Sequence, residues 1–179
     1  MKEATLKHTG HGLVPDGDGW FVLNTRDALW EESAEFGRYT RWEGPGDARF
    51  KEFGININVL QPGQPGCMYH GEDAQEDFLV LAGQGVMVIE GEERPLATWD
   101  FVHCPAWTKH VVVATGPEPL VVLAAGARNG RKGIVYPVDE TARKHGAGVE
   151  RETPKPDDAY AGMSALVPIR YVEGDLPGA

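Results

Sequence analysis

From Phe53 to Ala127 the chain repeats short apolar runs punctuated by turn residues. In FGININVL, Ile55, Ile57 and Val59 alternate with Asn56 and Asn58, the period-two pattern of a strand. QPGQPG then breaks it. EDFLVLAGQGVMVIEGEERPL reads as two apolar strands around AGQG, a hairpin pattern, with GEER as the next turn. DFVHCP, KHVVVAT and EPLVVLAAGA are further short strands, with GPEP between the last two. About seven strands at this spacing predict an all-β antiparallel sandwich or barrel.

The flanks differ. Residues 1–19 are polar and glycine-rich and read as a loosely held arm. WFVLN is a short strand candidate, and TRDALWEES one helical turn with Asn24 or Thr25 as N-cap. GRYTRWEG reads as a strand and GPGDAR as a loop. In the tail, DETARKHGAG predicts a short helix with Asp139 as N-cap and Gly146 as stop, and TPKPDDAYAGM a further turn. The expected organisation is an N-terminal arm (1–39), a barrel (40–127) and a C-terminal extension (128–179) packing on the barrel or on a partner subunit.

Composition narrows the function classes. With 179 residues, 41% hydrophobic and 25% charged, the chain suits one ordinary globular domain. A net charge of −10 without a Lys/Arg stripe argues against nucleic acid or an anionic membrane as partner. No apolar run approaches the roughly 20 residues of a membrane span. The start lacks a signal-type apolar segment, and two cysteines, Cys67 and Cys104, make no disulfide framework. Reduced thiols and a cytoplasmic location are expected; a small buried hydrophobe is the commoner role of such a cysteine.

One stretch asks for an explanation. His70, Glu72, Asp73, Glu76 and Asp77 crowd beside the most apolar pair of strands. Like charges so close repel; a solvated loop tolerates them, and so does a cation site. His70 and Glu72 share a face by strand parity. Glu76 keeps that parity but lies roughly 13 Å along a straight strand, so the chain must turn at Asp73–Gln75 and bring Glu76 back at the head of the next strand. Phe78 and Val80 then share its inward face. His110 opens the strand after the proline turn Pro105–Lys109 and closes the set if that strand borders the first pair. Two imidazoles (His70, His110) and two carboxylates (Glu72, Glu76) suit a divalent transition metal such as Fe, Mn, Ni, Co or Zn, and imidazole argues against Ca and Mg.

Other residues are weighed against plainer roles. Tyr69 has the opposite parity to His70 and should face away from the interior. Asn56 and Asn58 face the cavity if their parity matches the metal-side strand, the reading adopted here; otherwise they are surface. His103 is a fifth ligand or proton shuttle, or, as the commoner case, a turn histidine bonded to backbone. Met87, Phe78 and Trp107 line a small pocket or are plain core. His8, His11 and His145 read as solvated.

The joint spacing resembles a known family. A PG dipeptide, then His70-x-Glu72-x3-Glu76-x6-Gly83, 15 residues from Gln84 to Thr98, and Pro105-x-Trp107-x2-His110 are similar to the two motifs of the cupin superfamily. The resemblance covers about Phe53 to Ala127. It implies a double-stranded β-helix, a jelly-roll barrel with short helical extensions and a metal inside. His70, Glu76 and His110 fall on usual ligand positions, and Glu72 where cupins generally have a second histidine. Trp99 and Trp107 stand at motif glycines, and Ala114 at a usual asparagine. With both carboxylates ligating, a bound dication would be fully neutralised and its Lewis acidity weakened. The implied functions are a metal-dependent enzyme (oxygenase, lyase, isomerase or decarboxylase) acting on a small polar molecule, a non-catalytic small-molecule-binding cupin, or a structural scaffold. An inward His/Glu cluster disfavours the scaffold, because an unpaired buried carboxylate is costly. A homodimer is expected, with Trp20, Phe21 and Trp30 offering apolar surface beyond one barrel's needs.

Overall fold

The alternation in FGININVL becomes a strand with two different faces. In the computed structural model, which describes residues 1–128 and 133–178, Ile57 and Val59 are buried against Trp30 and Val121, while Asn56 and Asn58 line an interior cavity. Among the described residues, fourteen strands and two short α-helices follow in order: β1 Thr5–His8, β2 Leu13–Asp16, β3 Leu29–Ser33, β4 Gly37–Arg41, β5 Phe53–Leu60, β6 Gly71–Glu72, β7 Glu76–Ala82, β8 Gln84–Ile89, β9 Glu92–Ala97, β10 Phe101–Cys104, β11 His110–Ala114, β12 Leu120–Ala127, β13 Ile134–Val135, α1 Glu140–Lys144, α2 Pro156–Ala159 and β14 Val167–Ile169.

A seven-stranded sheet in the order β10-β7-β12-β5-β4-β3-β14 faces a three-stranded sheet, β11-β8-β9. Every pairing within these sheets is antiparallel. Leu60, Phe78, Val80, Met87, Leu96, Val112, Leu120 and Val122 fill the space between them. The fold is all-β, a double-stranded β-helix with few and short helices. Residue 40, expected as the first of the barrel, lies within β4, and β3 and β14 extend the same sheet.

Both outer faces are covered. On the large sheet, Trp30 is fully buried with Ile169, Tyr171 and Leu176 beside it. On the small sheet, Ala142 and Ala147 close over Tyr69, Val86, Val88, Val111 and Val113. Tyr69 therefore faces away from the barrel interior, as its parity predicted. Helix α1 starts where Asp139 accepts a hydrogen bond from the Ala142 N–H (2.8 Å), and Gly146 follows it with φ 72°. The expected turn in TPKPDDAYAGM is α2.

Three local expectations are corrected. TRDALWEES forms no helical turn: residues 25–27 make a turn, with Asn24 Oδ1 accepting from the Arg26 N–H (3.0 Å), and Leu29–Ser33 is β3. Nucleating an isolated helical turn is unfavourable, whereas strand pairing buries the Trp30 indole, whose Nε1–H reaches the Thr25 carbonyl at 3.0 Å. WFVLN contributes only an isolated bridge at Trp20, and residues 1–19 hold the β1–β2 hairpin. The AGQG turn does not join a hairpin: β7 pairs with β10 and β12, and β8 with β9 and β11, so the chain crosses between sheets there. Gly83 allows this with φ 82°; a Cβ on it would lie 2.3 Å from the Pro119 carbonyl oxygen.

Trp99 and Trp107, at the motif glycine positions, keep a glycine-like backbone, with φ 76° and 70°. A bulky residue there is strained, since left-handed conformation costs an L-residue roughly 1–2 kcal/mol. Trp99 is 72% exposed, so little packing offsets the strain. Trp99→Gly is expected to raise the unfolding free energy by about 1 kcal/mol in urea titration; a clear loss of stability would show that the indole makes a stabilising contact.

Candidate metal centre

Register places the site. Across β12, Val80 stands opposite Val122, Phe78 opposite Ala124 and Glu76 opposite Gly126. On its other side, β12 sets Val122, Ala124 and Gly126 against Asn58, Asn56 and Gly54. The inward row therefore shrinks from valine to glycine toward Glu76, and a Cβ on Gly126 would sit 3.4 Å from the Glu76 Cγ. The space left open is a cavity of about 260 Å3 lined by His70, Glu76, His110, Asn56, Asn58 and Phe78 among others. Asn58 donates to Asn56 along one wall of it (3.0 Å). The two asparagines face the interior, the reading adopted from sequence.

The histidines come from a loop and a strand that bridge. The His110 N–H donates to the His70 carbonyl (2.8 Å) and the His70 N–H to the His110 carbonyl (3.2 Å). Each imidazole Nδ1 lies on a backbone carbonyl, His70 on Met68 (2.8 Å) and His110 on Thr108 (2.9 Å). A carbonyl only accepts, so both Nδ1 atoms carry the proton, and in the neutral rings the Nε2 lone pairs face inward. His70 Nε2 and His110 Nε2 stand 3.4 and 3.2 Å from Glu76 Oε2. Those approaches lack hydrogen-bond geometry: Glu76 Oε2 and His110 Nε2 are buried with no hydrogen-bond partner.

Three ligand-type atoms, all within 4.8 Å of one another, thus converge from His70, Glu76 and His110. Orphaned buried donors and acceptors are rare without an occupant. Two imidazoles and one carboxylate, with the remaining directions open to a cavity, fit a divalent transition metal in a catalytic rather than a closed structural site.

Glu72 does not join that group. It is 5% exposed on β6, and its side chain lines a neighbouring cavity of about 290 Å3 with Glu76, Arg41, Glu43 and Arg128. The backbone explains the separation: β6 pairs with β13, Ile134 opposite Glu72, and the Glu72 carbonyl accepts from the Trp107 N–H (2.7 Å), so the bend at Asp73–Gln75 carries only Glu76 back to the histidines. The fourth ligand position expected from sequence is not met here, and one carboxylate rather than two would offset a dication.

His103 is on the outside, half-exposed, its Nδ1 paired with Asp77 at 2.7 Å. Cys104 is buried core, while Cys67 is half-buried with its Sγ 3.7 Å from His70 Nδ1. Sequence reasoning missed Tyr39, Arg41 and Arg128 around the site. Tyr39 and Arg41 come from β4 and Arg128 from just beyond β12, and neither segment carries a motif. Arg128 forks onto Glu43 (2.6 and 2.8 Å), and Arg41 pairs with Glu31.

Residues 56–126 match the cupin domain family. This stretch, the heart of the barrel, is a cupin domain. Similar solved structures include the polyketide cyclase RemF from Streptomyces resistomycificus (15% identity, 65% of this chain and 84% of that one, TM-score 0.54). Another is a Thermotoga maritima protein named as a predicted oxalate decarboxylase (18% identity, 60% of this chain and 98% of that one, TM-score 0.53). These two likenesses are of fold. An Acidithiobacillus ferrooxidans protein whose name proposes a sugar phosphate isomerase is 27% identical over 55% of this chain, with a TM-score of 0.47. The matched part spans 64% of that protein, less than two thirds of its length. No curated protein matches the chain in sequence. Among the described residues, no helix of this cupin is long and apolar enough to cross a membrane.

The cluster is also electrically coupled. Burial works against ionising Glu76, but the two imidazoles outweigh it and hold the carboxyl well below its usual range. Burial likewise disfavours charged His110, yet Cys104 and Glu76 push its pKa up to about 10 from 6.5. The stability that His110 supplies to the metal-free cupin is complete below 6.5 and lost as pH rises through about 10. That from Glu76 is complete above its ordinary 4.5 and lost as pH falls. Urea unfolding of metal-stripped protein is expected to show stability falling from pH 7 to 10. Glu76→Gln should remove most of that slope, and an unchanged slope would mean that Glu76 does not hold the imidazole charge.

Proposed function

We propose that this cupin is a metal-dependent enzyme acting on a small molecule, with His70, Glu76 and His110 as its metal ligands. The observation that carries the reading is the pair of buried atoms without a hydrogen-bond partner, Glu76 Oε2 and His110 Nε2, beside an open cavity. A bound divalent transition metal would supply Lewis acidity or redox chemistry to a substrate oxygen. The chain's own residues do the rest. The Met68 and Thr108 carbonyls orient the imidazoles, Asn56 and Asn58 offer polar contacts inside the cavity, and Phe78 and Val112 exclude water from its inner wall. Glu72, outside the ligand group, is proposed to work on the substrate as a base or polar contact. The reaction type stays at the level of oxygenase, lyase, isomerase or decarboxylase, because this fold hosts many chemistries.

A small-molecule-binding cupin without turnover is the second reading, favoured by the same cavity; elemental analysis and oxygen uptake against a substrate panel separate the two. Purified protein is expected to hold about one equivalent of Fe, Mn, Ni, Co or Zn. His70→Ala with His110→Ala should remove it, and Glu72→Gln should keep it while losing turnover. Wild-type protein that takes up no metal and gains no thermal stability from any would end the enzyme reading.

A homodimer in the cytoplasm is proposed as its working form. Trp30 does not support it as expected, being buried in its own chain, and Phe21 stacks on Phe50 at 6.4 Å. The support lies instead at the edge strand β10, where Phe101, and Trp99 just before it, are exposed. Sedimentation at micromolar concentration is expected to give a dimer that Phe101→Asp weakens; a monomer would refute it.

A further inference from the structure

The metal cavity has a different chamber on each side. It shares Asn56, Glu76 and Ala124 with the space lined by Arg41, Glu43, Glu72 and Arg128. It shares Gly66 and Cys67 with another space of about 430 Å3. Tyr39 borders all three. The larger chamber is walled by Phe36, Tyr39, Cys67, Tyr160, Met163 and Leu166, and among the described residues no charged side chain lines it. Protein interiors are normally close-packed, and apolar space of this size beside a polar site is characteristic of a ligand pocket.

Its outer wall belongs to the C-terminal segment. Tyr160, Met163, Ser164 and Leu166 lie between α2 and β14. Ser164 is tied by its Oγ (2.9 Å) and its N–H (3.2 Å) to Glu35, in the turn between β3 and β4. Glu35 also accepts from Ser33 Oγ at 3.0 Å. The segment is thus anchored across the chamber rather than collapsed into it, and Leu166 stays 49% exposed at the mouth.

We infer that the substrate of the metal centre carries an aromatic or alicyclic group, which occupies this apolar chamber while its polar end reaches His70, Glu76 and His110. The inference rests on the metal-centre reading and narrows the substrate from a small polar molecule to one with two unlike ends. Tyr39 marks the junction. Its hydroxyl is kept protonated by burial and by Glu31 beside it, and it accepts from Arg41 at 3.3 Å. The Arg41 guanidinium also stands over the Tyr39 ring, 5.7 Å from its centroid, so the charged side holds the hydroxyl and one ring face, while the same residue borders the apolar chamber.

The test uses glycolate, mandelate, 3-phenyllactate and 4-phenyl-2-hydroxybutyrate, four 2-hydroxy acids differing in the apolar group and its reach. Each is titrated calorimetrically into the full chain loaded with Co2+, whose visible spectrum reports contact with the ion. At least one phenyl acid is expected to bind about tenfold or more tighter than glycolate. Leu166→Asp and Met163→Glu should erase that advantage and leave Co2+ uptake intact. Phenyl acids that bind no better than glycolate, or an advantage that survives both variants, overturn the inference. If the wild-type chain takes up no Co2+, the metal reading fails by itself, and 1-anilinonaphthalene-8-sulfonate then probes the chamber in the metal-free protein. One equivalent bound, weakened about tenfold by Leu166→Asp, supports the chamber; no effect of the substitution overturns it. A dimer that dissociates on Leu166→Asp, with no preference among the acids, assigns the chamber to a second copy of the chain and also overturns the proposal.

Discussion

Two reciprocal backbone hydrogen bonds between His70 and His110 hold the functional part of this protein together. They fasten a loop that precedes β6 onto the first residue of β11, and so onto the small sheet. Because the bonds are between main chains, they fix the Cα positions of both histidines without using either imidazole. The rings are then free to spend Nδ1 on neighbouring carbonyls and present Nε2 to the interior. Glu76 needs no such fastening. It heads a strand paired on both sides, and its direction follows from the alternation that buries Phe78 and Val80.

That division explains what was legible in the sequence. Strand parity placed Tyr69 outward, Asn56 and Asn58 inward, and Glu76 in line with Phe78, because side-chain direction in a paired strand is a local property. The spacing of the histidine motifs led to the family whose domain matches residues 56–126. The separation of Glu72 from the other three residues has a local cause too. Parity put it on the His70 side, but β6 is two residues long and is steered by β13, whose sequence gives no warning of that pairing. The crossing at Gly83 was hidden for a similar reason: a turn signal reports a reversal of direction, not which sheet receives the next strand. Arg128 and Tyr39 could not be found from sequence, since only the assembled sheet brings β4 and the end of β12 beside the ligands.

The change at Glu72 alters the electrostatics of the site. With one coordinating carboxylate, a bound dication would keep a net positive charge and its Lewis acidity. The second carboxylate lines the adjoining chamber with Arg41, Glu43 and Arg128. The Arg128–Glu43 and Arg41–Glu31 pairs hold the two guanidinium groups in place, so this wall is ordered before a ligand arrives.

The loop carrying His70 is also fastened from the far end of the chain. The Tyr69 N–H donates to the Ala147 carbonyl at 2.8 Å, and the Met68 N–H to the Tyr160 hydroxyl at 3.2 Å. During synthesis, every strand of the barrel proper emerges before those two partners exist. A nascent chain ending at β12 can pair its sheets, yet the residue beside His70 and the carbonyl that orients its ring are not yet clamped. The surroundings of His70 are therefore completed only when the segment holding Ala147 and Tyr160 docks, a step later than the pairing of the barrel strands.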